Sequence, residues 1–438
     1  MTQLADIRVP APAGSARPGR TRRAERALAA LGTRRDFLLL WCGQTVSKIG
    51  NGAYKTALAW SVYQISGSTA DMGAVLALNL IPELLLALFG GAVADRLPRR
   101  AVVVAADAVA ATVTLGLALA ASAGLSSVRL LMAAALLLGV VSAFYGPAYA
   151  ALRRDLVATG GVRATNAWLG VSGNLARMAG PALAGVLFAA GGGAGVFGAD
   201  AATFAFAVVT TLFIRTRPTA DPVTTPVTGP AAQAPSIVRE MVEGLAYTVK
   251  TGWMVLVLAL SLVANLACLA PYAVLLPAAV AERGGDIGLL GALGTTEIAV
   301  GIAAALAIGR LGRHLRPGFA MLALCATLGA GSLLLGLSRG AQFFLFAGVS
   351  LIGVGLSFDV IEQTLLQALV PQRLMSRVYA VNTVVSYSLL PAGYAASGLV
   401  ARHIGALPIL AGGGIALMVC CAAAAALPAV RRLNEADC

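Results

Sequence analysis

The hydrophobic residues of this chain come in blocks of about 20 that recur along its whole length, and a block of that size crosses a hydrocarbon core of about 30 Å as a helix. The pattern predicts spans at roughly 36–64, 71–93, 101–122, 128–151, 165–190, 195–214, 253–280, 288–309, 318–337, 342–369, 376–400 and 405–428. Pro82, Pro147, Pro181, Pro271, Pro277 and Pro391 fall inside these blocks. They do not veto the spans, because neighbouring helices can satisfy the backbone groups a proline frees. The expected fold class is therefore an all-α membrane protein with twelve transmembrane helices.

Composition agrees with the pattern. Of 438 residues, 58% are hydrophobic and 12% charged, with a mean hydropathy of +0.84, far from the balance of water-soluble domains. A net charge of +13 could suggest nucleic acid, but the arginines sit in short turns between spans and not on a folded basic surface. No nucleic-acid partner is expected. The only lysines are Lys48, Lys55 and Lys250. The cysteines, Cys42, Cys268, Cys325, Cys420, Cys421 and Cys438, lie mostly within apolar blocks without ligand spacing and read as small buried hydrophobes. Residues 1–35 lack the apolar core of a cleavable signal and read as a cytoplasmic tail.

The basic residues set an orientation. If the amino terminus is inside, only Arg129, Arg283, Arg339 and Arg402 fall in turns on the outer face, while the tail arginines and nearly all other turn arginines lie inside. That asymmetry places both termini in the cytoplasm, in a multi-pass protein of the cell membrane. Between the sixth and seventh spans, RTRPTADPVTTPVTGPAAQAP (residues 215–235) cannot bury a core and reads as a linker. The amphipathic stretch after it repeats Ile237, Met241, Leu245 and Val249 about one turn apart, and is expected to lie along the membrane surface. The expected organisation is a tail (1–35), a six-helix half (36–215), a linker with an amphipathic helix (216–250), a second six-helix half (251–430) and a tail (431–438). The halves echo each other faintly, as repeats in a transporter would: Glu83 and Glu297 each precede a charged turn, and Pro181 and Pro391 sit in Gly-rich stretches.

The turn between the second and third spans reads GAVADRLPRR. With Gly91, Asp95, Arg96, Arg99 and Arg100 in place, it resembles the signature loop of the major facilitator superfamily, although Pro98 stands where that loop has glycine. The resemblance implies two six-helix bundles around a central cavity. It also implies a cytoplasmic latch in which Asp95 meets the start of the eleventh span near Ser376 while the arginines pair with acids. An anion beside a positive helix end gains about 0.3–2 kcal/mol. The alternative is a solvated turn that only fixes topology. FYGPAYAALRRDLV (144–157), NAWLGVSGNLARMAGPALAGVL (166–187) and TLLQALVPQRLMSRVYA (364–380) resemble the siderophore-exporter and drug-efflux branch of that superfamily. This implies a secondary transporter, with proton-coupled export of an amphipathic small molecule as the leading function and nutrient uptake as the alternative. The fourth span, LLMAAALLLGVVSAFYGPAYAAL, lacks the arginine that many drug/proton antiporters carry there, so any relay relying on it is organised differently here.

Charges inside spans cost a few kcal/mol and face a cavity or a partner. Lys48 and Glu83 both lie about 18 Å from the inner face at about 1.5 Å per residue, close enough in depth to approach one another. Asn51 and Lys55 continue the stripe of Lys48, and Asn79 lies one turn from Glu83. These groups read either as a buried ion pair or as a gate or protonation site. Asp359 and Glu362 share a face of the tenth span; they accept a coupling proton, pair with Arg373 or Arg377, or solvate the inner vestibule. Glu297 stands beside Thr295 and Thr296 and could bind a proton or substrate. Arg177 and Asp107 fit a structural charge pair or, for Arg177, an anionic ligand. Tyr145, Tyr149, Trp60, Tyr63, Tyr272, Tyr387 and Tyr394 could line a substrate cavity, anchor at the interface or simply pack.

Other chemistry finds no residues. The string GNGAYKT puts Tyr54 where a phosphate-binding loop needs glycine before its lysine. His314 and His403 fall in turns on opposite faces, which gives no base at depth for a hydrolase. No enzymatic activity, no metal and no cofactor are expected. A scramblase or receptor without coupled transport is compatible with the composition. The expected partners are a small-molecule substrate, protons and membrane lipids, with the chain acting as a monomer.

Overall fold

The computed structural model describes residues 20–156, 162–215, 237–311, 316–338, 342–371, 374–428 and 430. Residues 1–19 of the expected tail 1–35, the tail 431–438 with Cys438, the stretch 216–236 of the linker, His314, Arg339 and Arg373 lie outside the described residues; residues 20–35, expected as tail, are helical and continue into the first span. Among those described, regular structure is helical throughout. The helices are α1 (Arg20–Ser66), α2 (Thr69–Arg96), α3 (Arg99–Ser122), α4 (Val128–Leu156), α5 (Val162–Leu212), α6 (Ile237–Lys250), α7 (Gly252–Ala264), α8 (Ala270–Ala281), α9 (Ile287–Leu311), α10 (Pro317–Leu337), α11 (Gln342–Leu356), α12 (Phe358–Leu369), α13 (Met375–Ser388), α14 (Leu390–Ile404) and α15 (Ala406–Ala425). Ten stretches are long and apolar enough to cross a membrane. One of them, Leu175–Leu212, holds two spans, because α5 folds back at Gly191 and Gly192. Gly192 has φ 59° and ψ −155°, a conformation open only to glycine. With the span expected inside α1, this fits the twelve transmembrane helices of two six-helix bundles.

The surface is that of a protein in lipid. Large apolar side chains such as Leu85, Leu119, Val186, Phe206 and Val419 are exposed, while Gln44, Asp107, Asp200, Asn265 and Glu362 are buried. The cysteines follow the expectation in part: Cys268, Cys325 and Cys421 are buried, whereas Cys42 is exposed. In α6, Gly244 and Thr248 are buried against the start of α13, and Val242, Leu245 and Val249 are exposed along the other side. Glu243 pairs with Arg377 to fix that docking.

Two close approaches between helices trace to proline. Pro147 has no N–H to give the Ala143 carbonyl, and Pro271 none for Ala267. At each, a glycine from a neighbouring helix lies on the freed carbonyl. A Cβ on Gly90 would stand 2.0 Å from the Ala143 oxygen, and one on Gly413 would stand 1.7 Å from the Ala267 oxygen. Only glycine permits backbones so near each other.

The end of the molecule bearing the GAVADRLPRR turn is the basic end. The two halves touch from mid-depth toward the opposite end. There Thr69 Oγ1 donates to the Gly398 carbonyl at 2.9 Å, and Gly73 lies against the Tyr394 carbonyl. On the other flank Thr295 Oγ1 donates to the Met178 carbonyl at 3.2 Å, and Gly291 packs on the carbonyl of Pro181. Toward the basic end, α12 and α13 pack against helices of their own half, including α6, α7, α9 and α10. There the second half holds a cavity lined by its own spans.

Candidate functional site

The cavity is built on interruptions in three spans of the second half. A π-helical turn, Asn265–Leu269, separates α7 from α8 just ahead of Pro271. Ser357 separates α11 from α12, and Leu389 separates α13 from α14 just ahead of Pro391. These breaks aim polar groups inward. Asn265 Nδ2 donates to the Ser386 carbonyl at 3.0 Å. Asp359 sits in the first turn of α12, where the helix N-terminus favours an anion. Glu362 follows one turn later, 6% exposed, and accepts from Asn382 Nδ2 at 2.7 Å. With Gln363, Tyr379, Tyr387 and Tyr394 they line a cavity of about 1200 Å³ including its mouth.

Glu297 stands on α9 and accepts a hydrogen bond from the Tyr272 hydroxyl at 2.5 Å. Arg177, on α5 of the first half, is exposed and lies within electrostatic reach of both Glu297 and Asp359. The arginine of one half thus lies near carboxylates of the other, without a direct ion pair. Of the two arginines expected as alternative partners for Asp359 and Glu362, Arg377 binds Glu243, and Arg373 lies outside the described residues.

A second polar hollow, of about 680 Å³, lies inside the first half. It gathers Lys48, Asn51, Lys55, Asn79, Glu83 and Asp107, all singled out by sequence. Lys48 and Glu83 share this hollow but form no ion pair; the Lys48 ammonium stands 5.1 Å from the centre of the Tyr149 ring, a cation–π contact. Asp107, 2% exposed, accepts from Gln44 Nε2 at 2.7 Å, and Gln44 Oε1 in turn accepts from the Tyr145 hydroxyl. Asn79 Nδ2 donates to the Ala135 carbonyl at 3.0 Å. Tyr145 stacks on Tyr149 with ring centres 5.4 Å apart.

The charge-based reading passes over Asp200, which also lines this hollow, although an acid within GVFGADAATFAF satisfies the same rule. It passes over Gln44, Asn265 and Asn382 for a different reason. They are uncharged, and no local pattern separates a polar side chain that closes a network from one that faces a lipid headgroup.

In the signature turn, Gly91 lies within α2 with open space around its Cα. The Asp95 side chain and that of Ser376 lie outside the described part of the structure. Arg96 is exposed. Arg99 Nη1 reaches both carboxylate oxygens of Asp155 at 2.6 and 2.7 Å. Arg100 donates to the carbonyls of Thr211 and Leu212 at the end of α5, where a cation complements the helix terminus. The partners of these two arginines therefore belong to their own half.

Comparison with known proteins agrees with this architecture. The chain is 27% identical over 436 residues to the multidrug efflux pump Tap of Mycobacterium bovis, covering 91% of this chain and 95% of the relative. Among solved structures, a point variant of the nucleoside transporter NupG superposes with a TM-score of 0.68 at 14% identity, covering 89% of this chain and 99% of that one. A bacterial homologue of the iron transporter ferroportin, in its inward-facing state, gives 0.64 at 18% identity over 90% and 99%. These likenesses carry the fold. The model of the transmembrane secretion effector family matches residues 27–438, and the chain belongs to that family of major facilitator transporters.

Proposed function

We propose that this transporter exports an amphipathic small molecule against inward proton flow, by alternating access of a central cavity between two bundles, residues 36–215 and 251–430. The basic end is cytoplasmic in this reading, as the distribution of arginines favours. The state described above is then open to the cytoplasm and closed outside by the contacts of Thr69 with Gly398 and Thr295 with Met178. Export is favoured over uptake by the family description and by the drug-efflux activity named for the mycobacterial relative.

The observation that carries the reading is that Arg177 of one half lies within electrostatic reach of Glu297 and Asp359 of the other. Protonating those carboxyls removes their attraction for the guanidinium, and deprotonating them restores it. Proton binding therefore changes the relative energy of states that differ in the spacing of the halves. Glu362 and the tyrosines provide an acidic, aromatic wall for a ligand with apolar rings. Gly91, Asp95, Arg96, Arg99 and Arg100 form the latch that closes the cytoplasmic side when the cycle turns over. The transporter acts as a monomer.

The test uses purified protein in liposomes with a pH gradient and a panel of drugs and metabolites. A transported compound should move protons in the opposite direction, and Glu297→Gln and Asp359→Asn should uncouple the two flows. Asp95→Asn should slow cycling while insertion is preserved. Normal coupled transport by Glu297→Gln, Asp359→Asn and Glu362→Gln, singly and combined, would overturn the site assignment.

A further inference from the structure

The hollow inside the first bundle is separate from the cavity lined by the second half, and it holds two polar atoms without a hydrogen-bond partner. Asp200 is 1% exposed, and its Oδ2 has no hydrogen-bond partner. Tyr54 is 3% exposed, and its hydroxyl has none either. Both line the hollow. They also belong to one face contact. A Cβ built on Gly50 would stand 2.7 Å from Asp200 Oδ1, so α1 comes within touching distance of the carboxyl there, and Tyr54 is one turn further along α1. The remaining carboxyl contact is a long one, Thr203 Oγ1 to Oδ1 at 3.4 Å.

Buried polar groups are almost always paired, so an unpaired carboxylate oxygen in the same hollow as an unpaired hydroxyl needs a reason. A proton on Oδ2 supplies one, because it removes the charge and turns the acceptor into a donor. A metal cation fits less well. Among the described residues no group of three His, Cys, Asp or Glu side chains could hold one, and Lys48 and Lys55 already bring positive charge to the walls.

The rest of the hollow gives the proton a route. Along α1, the lining positions Gln44, Ser47, Lys48, Asn51, Tyr54 and Lys55 recur at steps of three and four, which makes one stripe. From Gln44 to Lys55 that stripe covers about 16 Å of depth at about 1.5 Å per residue. The charged and titratable groups facing Asp200 are Lys48, Tyr54 and Lys55 from α1, Glu83 from α2, Asp107 from α3 and Tyr145 from α4. Asp107 and Tyr145 are closed off by Gln44, and Lys48 by the Tyr149 ring. Glu83 and Lys55 are exposed, at the mouth. Asp200 and Tyr54 are left as the open end.

We propose that this hollow is a proton site within the first bundle, in which Asp200 carries the proton and Tyr54 adjoins it, distinct from the carboxylates of the central cavity. In the loading step a hydronium ion in the hollow gives its proton to Asp200 Oδ2 and leaves as water. In the unloading step that O–H bond breaks and the proton returns to water. The proposal rests on the proton-coupled reading for its purpose, though its measurement does not depend on it.

Infrared difference titration of the purified full-length protein, with the proton as the only probe, reads the neutral carboxyl band directly. The wild type should show a band that Asp200→Asn lacks and whose midpoint pH is shifted by Tyr54→Phe. An unchanged band in Asp200→Asn overturns the proposal. So does loss of the band on adding sodium at constant pH, which would make the site a metal-ion site. If Asp200→Asn fails to fold, the Tyr54→Phe midpoint decides: a shift supports the proposal and an unmoved midpoint overturns it. In liposomes, Asp200→Asn should lose acceleration of transport by a pH gradient while retaining exchange at equal pH. Retention of that acceleration, in the presence of a wild type that shows it, overturns the proposal alone. A wild type that moves substrate with no proton flow overturns the proton-coupled reading and leaves the infrared result standing.

Discussion

The two halves of this transporter hold polar groups in membrane-buried positions by different means. In the first half, α2 and α4 run unbroken through Pro82 and Pro147, and Asp107, Gln44 and Tyr145 bond to one another inside the bundle. In the second half, spans are interrupted at Asn265–Leu269, Ser357 and Leu389, and Asp359 and Glu362 line a cavity walled by that half's spans. A network closed within a bundle adds rigidity, because each partner is lost only at the cost of another. A broken helix gives up regular backbone bonds and gains a polar wall that water and ligand can reach. The comparison implies that stability resides more in the first set of polar groups and transport more in the second.

The largest expected effect is at Gln44. Gln44→Leu leaves both Asp107 and Tyr145 without their partner, at about 1–3 kcal/mol for the buried Asp107 and less for the half-buried Tyr145, so thermal unfolding in detergent should show a large loss of stability. An unchanged melting temperature would break the contrast between the halves. Next comes Gly413→Val, whose added atoms run into the Ala267 carbonyl. Overpacking of this kind costs about 1–3 kcal/mol, while Gly116→Ala, with open space around its Cα, should leave the melting temperature unchanged. Glu362→Gln sharpens the comparison from the other side. Its carbonyl can still accept from Asn382, so stability should change by about 1 kcal/mol or less, yet coupled transport in liposomes should be lost. The smallest effect belongs to Arg99→Ala. The Arg99–Asp155 pair is partly exposed, with side-chain exposures of 38% and 31%, and such pairs contribute about 0.2–1 kcal/mol. Its melting temperature should be nearly that of the parent, and any larger defect should appear in transport rate.

Much of this was legible because lipid imposes a one-dimensional rule. A helix that crosses the bilayer must be apolar over its own length, so the blocks at 101–122 and 318–337 could be matched to α3 (Arg99–Ser122) and α10 (Pro317–Leu337) with almost no information from the rest of the chain. The same rule exposed Glu297, Asp359, Glu362, Lys48 and Asp107, since charge at depth stands out against its neighbours. It failed where the deciding quantity was a relation between distant residues. Lys48 and Glu83 match in depth, but which of several groups an ammonium meets depends on helix rotation, and the Tyr149 ring lies nearer its path.

The sequence by itself determined the spans, the paired halves, the basic turns and the set of charges that had to face something polar, because each follows from the cost of placing a segment or a side chain in hydrocarbon. Only the tertiary structure decided which groups meet. It put Arg177 within electrostatic reach of Glu297 and Asp359, closed Gln44 between Asp107 and Tyr145, and left Asp200 and Tyr54 unpartnered within one hollow. Those outcomes depend on how helices far apart in the chain rotate and approach, which is set by the joint packing of glycines, prolines and side chains across the bundle and not by any local pattern.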